Sequence, residues 1–380
     1  MAGLRDKLKT MASLSADWNA QAAAPEAVKT GGLGDDVFFY PLDHKTGDYT
    51  LKEFLSIDEE NFFGLNDEEA MDLDPRRVLF LDTETTGLFG ANVQAFLVGL
   101  GYYTNSGFCV RQLLMRDLAS EEALLQKLDE IFQNFDVIVT FNGKSYDIPL
   151  IQTRMLYCRM HGAVPDTHID LIHPARRIYK LRIESCRLSN IEDKIFHAGR
   201  SDDIDGAEIP GRYFRYIRTG DESLLSDILE HNRQDIVSMP LLACAMCRVL
   251  DDPSMSEFGA DRFSIGRYYQ RQNNPKMAER YFSSVTDGLW SLPSMWQKSL
   301  LLKKSDMAAA VACWEEILSH TPDYCPALME LCKYHEHTTR DVKLALELCC
   351  RAQETGMGKM KFADDLAKRP KKRGGQGVGS

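Results

Sequence analysis

The stretch RVLFLDTETTG, residues 77–87, decides how the chain is read. Arg77 to Asp82 is a short apolar run of buried-strand length. Asp82 and Glu84 stand two apart at its end, so the period-2 geometry of a strand points both carboxylates to one face. Two such groups repel unless a cation lies between them, and an acidic pair abutting VLFL is costly without a partner. An ordinary strand-end turn is the alternative, since TETTG is rich in turn residues. Working outward, Gln94–Tyr103 (QAFLVGLGYY) and Cys109–Met115 predict two further strands, making an antiparallel meander with the first. Ser120 caps an amphipathic helix with Glu121 and Glu122 in its first turn, running to about Asn134. Asp136–Phe141 (DVIVTF) predicts a strand, Tyr146–Met160 a helix, and His168–Ile172 (HIDLI) a fifth short strand.

The chain has 380 residues, 44% of them hydrophobic and 27% charged, enough for two folded units with tails. It has no run of 18 apolar residues, and MAGLRDKLKTMASL lacks a signal-peptide core; a cytoplasmic protein with no membrane partner is expected. The ten cysteines are scattered, and the Cys244/Cys247 pair lies in a helical stretch, which favours reduced thiols over zinc. The net charge of −11 argues against a polyanionic partner only if it is evenly spread. Residues 1–74 hold 16 acidic and 6 basic residues, a net of −10, and the rest of the chain sums to −1. Residues 1–74 therefore read as an acidic, partly ordered leader, with Leu4, Leu8 and Met11 on one helical face. An α/β domain is expected over 75–250 and helical repeats over 255–355. A basic, glycine-rich disordered tail, KRPKKR included, completes the chain at 356–380. In the repeat region Ala278, Ala310 and Ala345 recur at spacings of 32 and 35, bracketing the tetratricopeptide period, with a generic array of helical hairpins as the alternative.

Two more motifs join the first. In FNGKSYDIPLI (141–151), a strand ends at Asn142, Gly143 permits a tight turn, and Asp147 falls in the first turn of the next helix, where the macrodipole favours an anion. In EHNRQDIVSM (230–239), His231 and Asp235 share one helix face a turn apart. Taken singly, a helix cap and a surface pair would explain them. Asp-x-Glu, Asn-x4-Asp and His-x3-Asp in this order match the DEDD exonuclease pattern. FLDTETTGL, QAFLVGLGYY, FNGKSYDIPLI, HIDLIHPARR, SCRLSNIE, IPGRYFRYIRTGD and HNRQDIVS together resemble the YprB-like branch of the ribonuclease H-like proteins, which carries a helical-repeat tail.

That resemblance implies an α/β class, a ribonuclease H-like mixed five-stranded sheet with flanking helices, followed by an all-α tetratricopeptide-like region. It also implies a metal-dependent exonuclease that hydrolyses single-stranded DNA or RNA with two Mg²⁺ or Mn²⁺ ions about 4 Å apart. Asp82 is then the bridging ligand, Glu84 and Asp235 ligands of one ion, and Asp147 a ligand of the other. His231 is the candidate general base or water-orienting group. Tyrosine-type members place Tyr four residues before the last aspartate and histidine-type members place His five before it; His231 has the tyrosine spacing, and Asn232 is a second hydrogen-bonding candidate. Between Arg154 and Arg187 seven Lys or Arg face three acidic residues, and RYFRYIR (212–218) interleaves arginines with aromatics. Such patterns track phosphates and stack on unpaired bases. Thr85, Asn142, Arg176, Arg177, Arg212, Tyr213 and Arg215 are the expected substrate-binding residues. A tetratricopeptide adaptor that binds a protein partner and keeps a weakly active nuclease fold, and a structure-specific endonuclease, are the competing readings.

Overall fold

The computed structural model describes residues 32–87, 90, 92–200 and 204–355. The expectations for Leu4, Leu8, Met11 and the 356–380 tail lie outside the described residues. The chain divides into two compact units that meet in sequence at Asp252 and Pro253.

In the first unit a six-stranded mixed sheet has the order β1-β6-β5-β4-β7-β8. Its strands are β1 (Leu33–Tyr40), β4 (Val78–Thr85), β5 (Ala95–Tyr103), β6 (Phe108–Met115), β7 (Val137–Thr140) and β8 (Thr167–Asp170). A small separate hairpin pairs β2 (Lys45–Thr46) with β3 (Tyr49–Thr50). β4 pairs antiparallel with β5 and parallel with β7, which places the Asp82 strand at the centre. The five-strand expectation is thus corrected to six, and the added strand comes from the span read as an acidic leader. VFFY supplies the β-forming residues of β1, and the charge that obscured it is locally cancelled. Asp35 accepts from Arg111 Nε at 2.6 Å and Nη2 at 2.5 Å across the β1–β6 pair, and the Arg233 guanidinium lies 4.5 Å from the Phe38 ring centroid.

The helices of this unit are α1 (Glu59–Gly64), α2 (Glu121–Phe132), α3 (Asp147–Tyr157), α4 (Ile172–Tyr179), α5 (Leu188–Ile195), α6 (Ile209–Thr219) and α7 (Ser226–Asp251). Val78 to Leu81 are fully buried, as a central strand covered on both faces requires. Phe80 belongs to an aromatic cluster with Phe54, Tyr103 and Phe108. Leu79 and Leu81 join the core that includes Leu124, Leu128 and Ile151. All ten cysteines are free, and Cys244 and Cys247 are buried on α7, on the apolar face expected for them.

The second unit is helical, with α8 (Gly259–Arg271), α9 (Pro275–Ser283), α10 (Ser291–Leu302), α11 (Met307–His320), α12 (Cys325–Tyr334) and α13 (Val342–Glu354). Ala278, Ala310 and Ala345 are fully buried, as small residues at close helix contacts should be. Trp314 fills the centre of the α10–α13 core and donates from Nε1 to Ser299 Oγ at 2.8 Å. Among the described residues no helix is long and apolar enough to cross a membrane.

Candidate active site

The site forms at the C-terminal end of β4. Asp82 pairs across the sheet with Gly99, and Phe80 with Gly101. These glycines let α7 settle onto the sheet. A Cβ on Gly99 would lie 2.3 Å from Asn232 Oδ1, and one on Gly101 would lie 2.5 Å from Ile236 Cγ2. Two missing methyl groups therefore set how closely the helix carrying His231, Asn232 and Asp235 approaches Asp82.

Asn232 is fully buried and donates from Nδ2 to Asp82 Oδ2 at 2.9 Å. Its orientation is fixed from behind. Gln112 Nε2 donates to the Leu229 carbonyl at 2.8 Å and to Asn232 Oδ1 at 2.9 Å, so the Asn232 oxygen faces Gln112 and its amide nitrogen faces the acid. Burial pushes the Asp82 carboxyl well above the usual range, and the negative charges of Asp235, Glu84 and Asp147 add to this; the Asn232 hydrogen bond opposes it.

Asp147 opens α3 and accepts a hydrogen bond from the Thr83 hydroxyl. Burial raises its carboxyl to about 6, against the lowering effect of Thr83. The loop before it is anchored by buried Asp170, whose carboxylate accepts from Asn142 N at 2.7 Å, Lys144 N at 3.0 Å and Ile172 N at 3.2 Å. The left-handed residue of this turn is Asn142, at φ 73°, rather than Gly143.

On α7, His231 Nε2 lies 3.9 Å from Glu84 Oε1 and 3.7 Å from Asp235 Oδ2. Its Nδ1 faces Arg200 Nη1 at 3.0 Å. A guanidinium can only donate, so Nδ1 is the acceptor and the proton of a neutral His231 sits on Nε2, towards the acids. In this arrangement His231 is a donor, and a general-base role would require Arg200 to leave Nδ1. Arg200 also donates to Asp235 and to both oxygens of Glu192.

Asp82 lies within electrostatic reach of Asp235, Glu84 and Asp147, a hard-oxygen set whose surplus of negative charge divalent cations would neutralise. Among the described residues no three His, Cys, Asp or Glu side chains form a ready metal cage. Asn232, Thr83 and Arg200 engage Asp82, Asp147 and Asp235.

The expected substrate residues fare unevenly. Tyr213 is corrected: it is fully buried, stacked on Phe96 at 3.8 Å, with its hydroxyl donating to the Met115 carbonyl at 2.9 Å, so it offers no face to a base. The aromatic period of α6 serves the core instead. Arg212 is engaged by Asp227 at 2.7 Å, and Arg177 reaches the Leu65 carbonyl and Asp67 at 3.4 Å each. Thr85 is buried and donates to the Gly87 carbonyl at 2.8 Å. Asn142, Arg176 and Arg215 are exposed. Sequence reasoning passed over Arg200, Glu192, Gln112 and Thr83, and gave the glycines of β5 no role. Gly99 and Gly101 at period 2, and Ser238 one turn beyond Asp235, were the available signals.

Residues 79–247 match the RNase_H superfamily. The matched span takes in the strands from β4 onward and α7 as far as Cys247. The chain is 28% identical over 321 residues to a protein of Bacillus subtilis (strain 168) described as "Uncharacterized protein YprB", covering 81% of this chain and 77% of that one. A solved structure, the family B DNA polymerase of the hyperthermophilic archaeon Pyrobaculum calidifontis, matches 54% of this chain at 15% identity with a TM-score of 0.36. The match spans 30% of that polymerase.

Proposed function

We propose that the ribonuclease H-like unit is a metal-dependent nuclease of DEDD type, hydrolysing phosphodiester bonds of single-stranded nucleic acid from the 3′ end. The observation that carries this reading is the Asp82 carboxyl, pushed up by burial and by the charges of Asp235, Glu84 and Asp147 around it. A protein that gathers four acids at the end of one strand spends stability on a concentration of negative charge, which is the ground state a divalent cation would relieve.

Asp82, Glu84, Asp147 and Asp235 would hold two Mg²⁺ or Mn²⁺ ions. When bound, such ions supply positive charge at the attacked phosphate and make water acidic enough to serve as nucleophile. The chain's own groups do the rest. Asn232 and Thr83 orient Asp82 and Asp147, and the Nε2–H of His231 is placed to orient water beside Glu84 and Asp235. Exposed Arg176 and Arg215 are read as phosphate contacts. The helical unit is read as tetratricopeptide-like, offering a surface to a protein partner, and the whole as cytoplasmic.

The test uses end-labelled single-stranded DNA and RNA with either end blocked, incubated with Mg²⁺, Mn²⁺ or EDTA. Shortening of strands with a free 3′ end, abolished by EDTA, is expected. Cleavage of strands blocked at both ends would replace the exonuclease by an endonuclease. No cleavage with either metal would leave the adaptor reading.

A further inference from the structure

The acidic cleft already contains a cation. The Arg200 side chain is 6% exposed and that of Glu192 4%. Arg200 Nε donates to Glu192 Oε2 and Nη2 to Oε1, both at 2.6 Å, and Nη2 also reaches Asp235 Oδ1. Glu192 is gripped a third time by Ser238 Oγ at 2.5 Å. Burial alone would lower the pKa of Arg200; its hydrogen bonds to Glu192 and the charges of Asp235 and Glu192 outweigh that and hold the pKa above the ordinary arginine range. Its charge is therefore permanent. Two acids, buried Glu192 and half-buried Asp235, share one guanidinium, and they differ in what else they have. Glu192, on α5, has two prongs of Arg200 and a hydroxyl. Asp235 stands among the acids that crowd Asp82.

We propose that Arg200 is the resting counter-ion of the cleft: its guanidinium holds Asp235 while no divalent cation is bound, and the cation must draw Asp235 away from it. The inference rests on the metal-dependent reading above. Glu192 and Ser238 make the exchange feasible, because Arg200 keeps a bidentate buried carboxylate after releasing Asp235 and so never stands as an unpaired buried charge. The same exchange loosens the contact to His231 Nδ1, linking metal occupancy to the tautomer of that histidine.

The competition is read by Mn²⁺ titration of the full chain without nucleic acid, by electron paramagnetic resonance or calorimetry. Arg200→Gln should bind Mn²⁺ about tenfold more tightly than the unaltered protein, the ordinary scale of coupling between linked equilibria. It should also melt at a lower temperature in EDTA. Glu192→Gln should bind Mn²⁺ more weakly, since the bidentate carboxylate that competes with Asp235 for Arg200 is gone. Equal or weaker binding by Arg200→Gln, with normal binding by the unaltered protein, overturns this inference alone. Absence of Mn²⁺ binding in both overturns the metal-dependent reading and the inference with it. Should Arg200→Gln fail to fold, ¹⁵N-arginine spectra of the unaltered protein decide: the Arg200 Nε–H signal, assigned by its loss in Arg200→Lys, should move in step with Mg²⁺ occupancy. A signal that stays fixed while Mg²⁺ binds overturns the proposal.

Discussion

Asp82 and Asp235 lie within electrostatic reach of each other and are held by opposite means. Behind Asp82 stands a buried amide relay, Gln112 to Asn232 to the carboxylate, every member neutral. Half-buried Asp235 is held by a guanidinium shared with the buried Glu192. A neutral donor fixes the direction of a carboxylate and leaves its charge to act on something else. A cation fixes direction and cancels charge together, so its partner is free for other work only after an exchange. The amide side of the cleft is thus a fixed jaw and the guanidinium side a replaceable one.

The largest effect should come from the fixed jaw. Asp82→Asn keeps a partner for Asn232 and removes one negative charge. Cleavage of labelled single strands should fall by about 10³-fold or more, the scale of losing one member of a catalytic set. The melting temperature in EDTA should not fall, because repulsion with Asp235, Glu84 and Asp147 is relieved. Retained cleavage would break the assignment of Asp82 as a ligand.

Next comes the fit behind it. Gly99→Ala places a methyl against Asn232 Oδ1 and should cost about 1–3 kcal/mol by overpacking, measured by chemical denaturation. Combining it with Asn232→Ala should cost less than the sum of the two single changes, since the clash disappears with the amide. Strict additivity would mean that α7 shifts as a body and that the relay is not what Gly99 accommodates.

His231 sharpens the comparison from the other side. With Nδ1 occupied by Arg200, it acts as a hydrogen-bond donor. His231→Ala should then slow single-turnover cleavage about tenfold, the worth of one hydrogen bond, without altering the pH profile. A loss of about 10²-fold together with a changed pH profile would mark it as a base working after Arg200 has moved.

The smallest effect lies outside the cleft and serves as its control. Burial lowers His168 to about 4, and Thr140 Oγ1 lies 2.8 Å from its Nε2. The folded state holds this ring neutral where the unfolded chain would protonate it. The stability contributed is therefore present above about pH 6.5, the unfolded value, and is lost as pH falls towards 4. His168→Gln should flatten the decline of melting temperature between pH 7 and 5, in EDTA and in Mg²⁺ alike. Dependence of that flattening on Mg²⁺ would show that the two regions are coupled.

What could be read in advance was whatever leaves a local trace. The VLFLDTE run and the three-strand meander follow from period and spacing, because strand alternation is a property of a few consecutive residues. Arg200 and Glu192 leave no such trace: one lies in a loop, the other on a short helix, and both gain meaning only when α5 and α7 meet. Tyr213 was misread for a related reason, since interleaved arginines and aromatics describe an amphipathic core helix as well as a stacking surface. β1 was hidden by averaging. Summed over 74 residues the charge is strongly negative, yet within the strand Asp35 finds Arg111.

That edge strand bears on how the chain can be cut. A version begun at residue 75, where the charge pattern would divide it, would strip β6 of its partner from Phe108 to Met115 and leave an open row of backbone donors and acceptors beside an orphaned Arg111. Bare edges of that length recruit strands from other molecules. Such a fragment should therefore keep all four acids and still be lost to aggregates, an outcome easily mistaken for a defect of the active site.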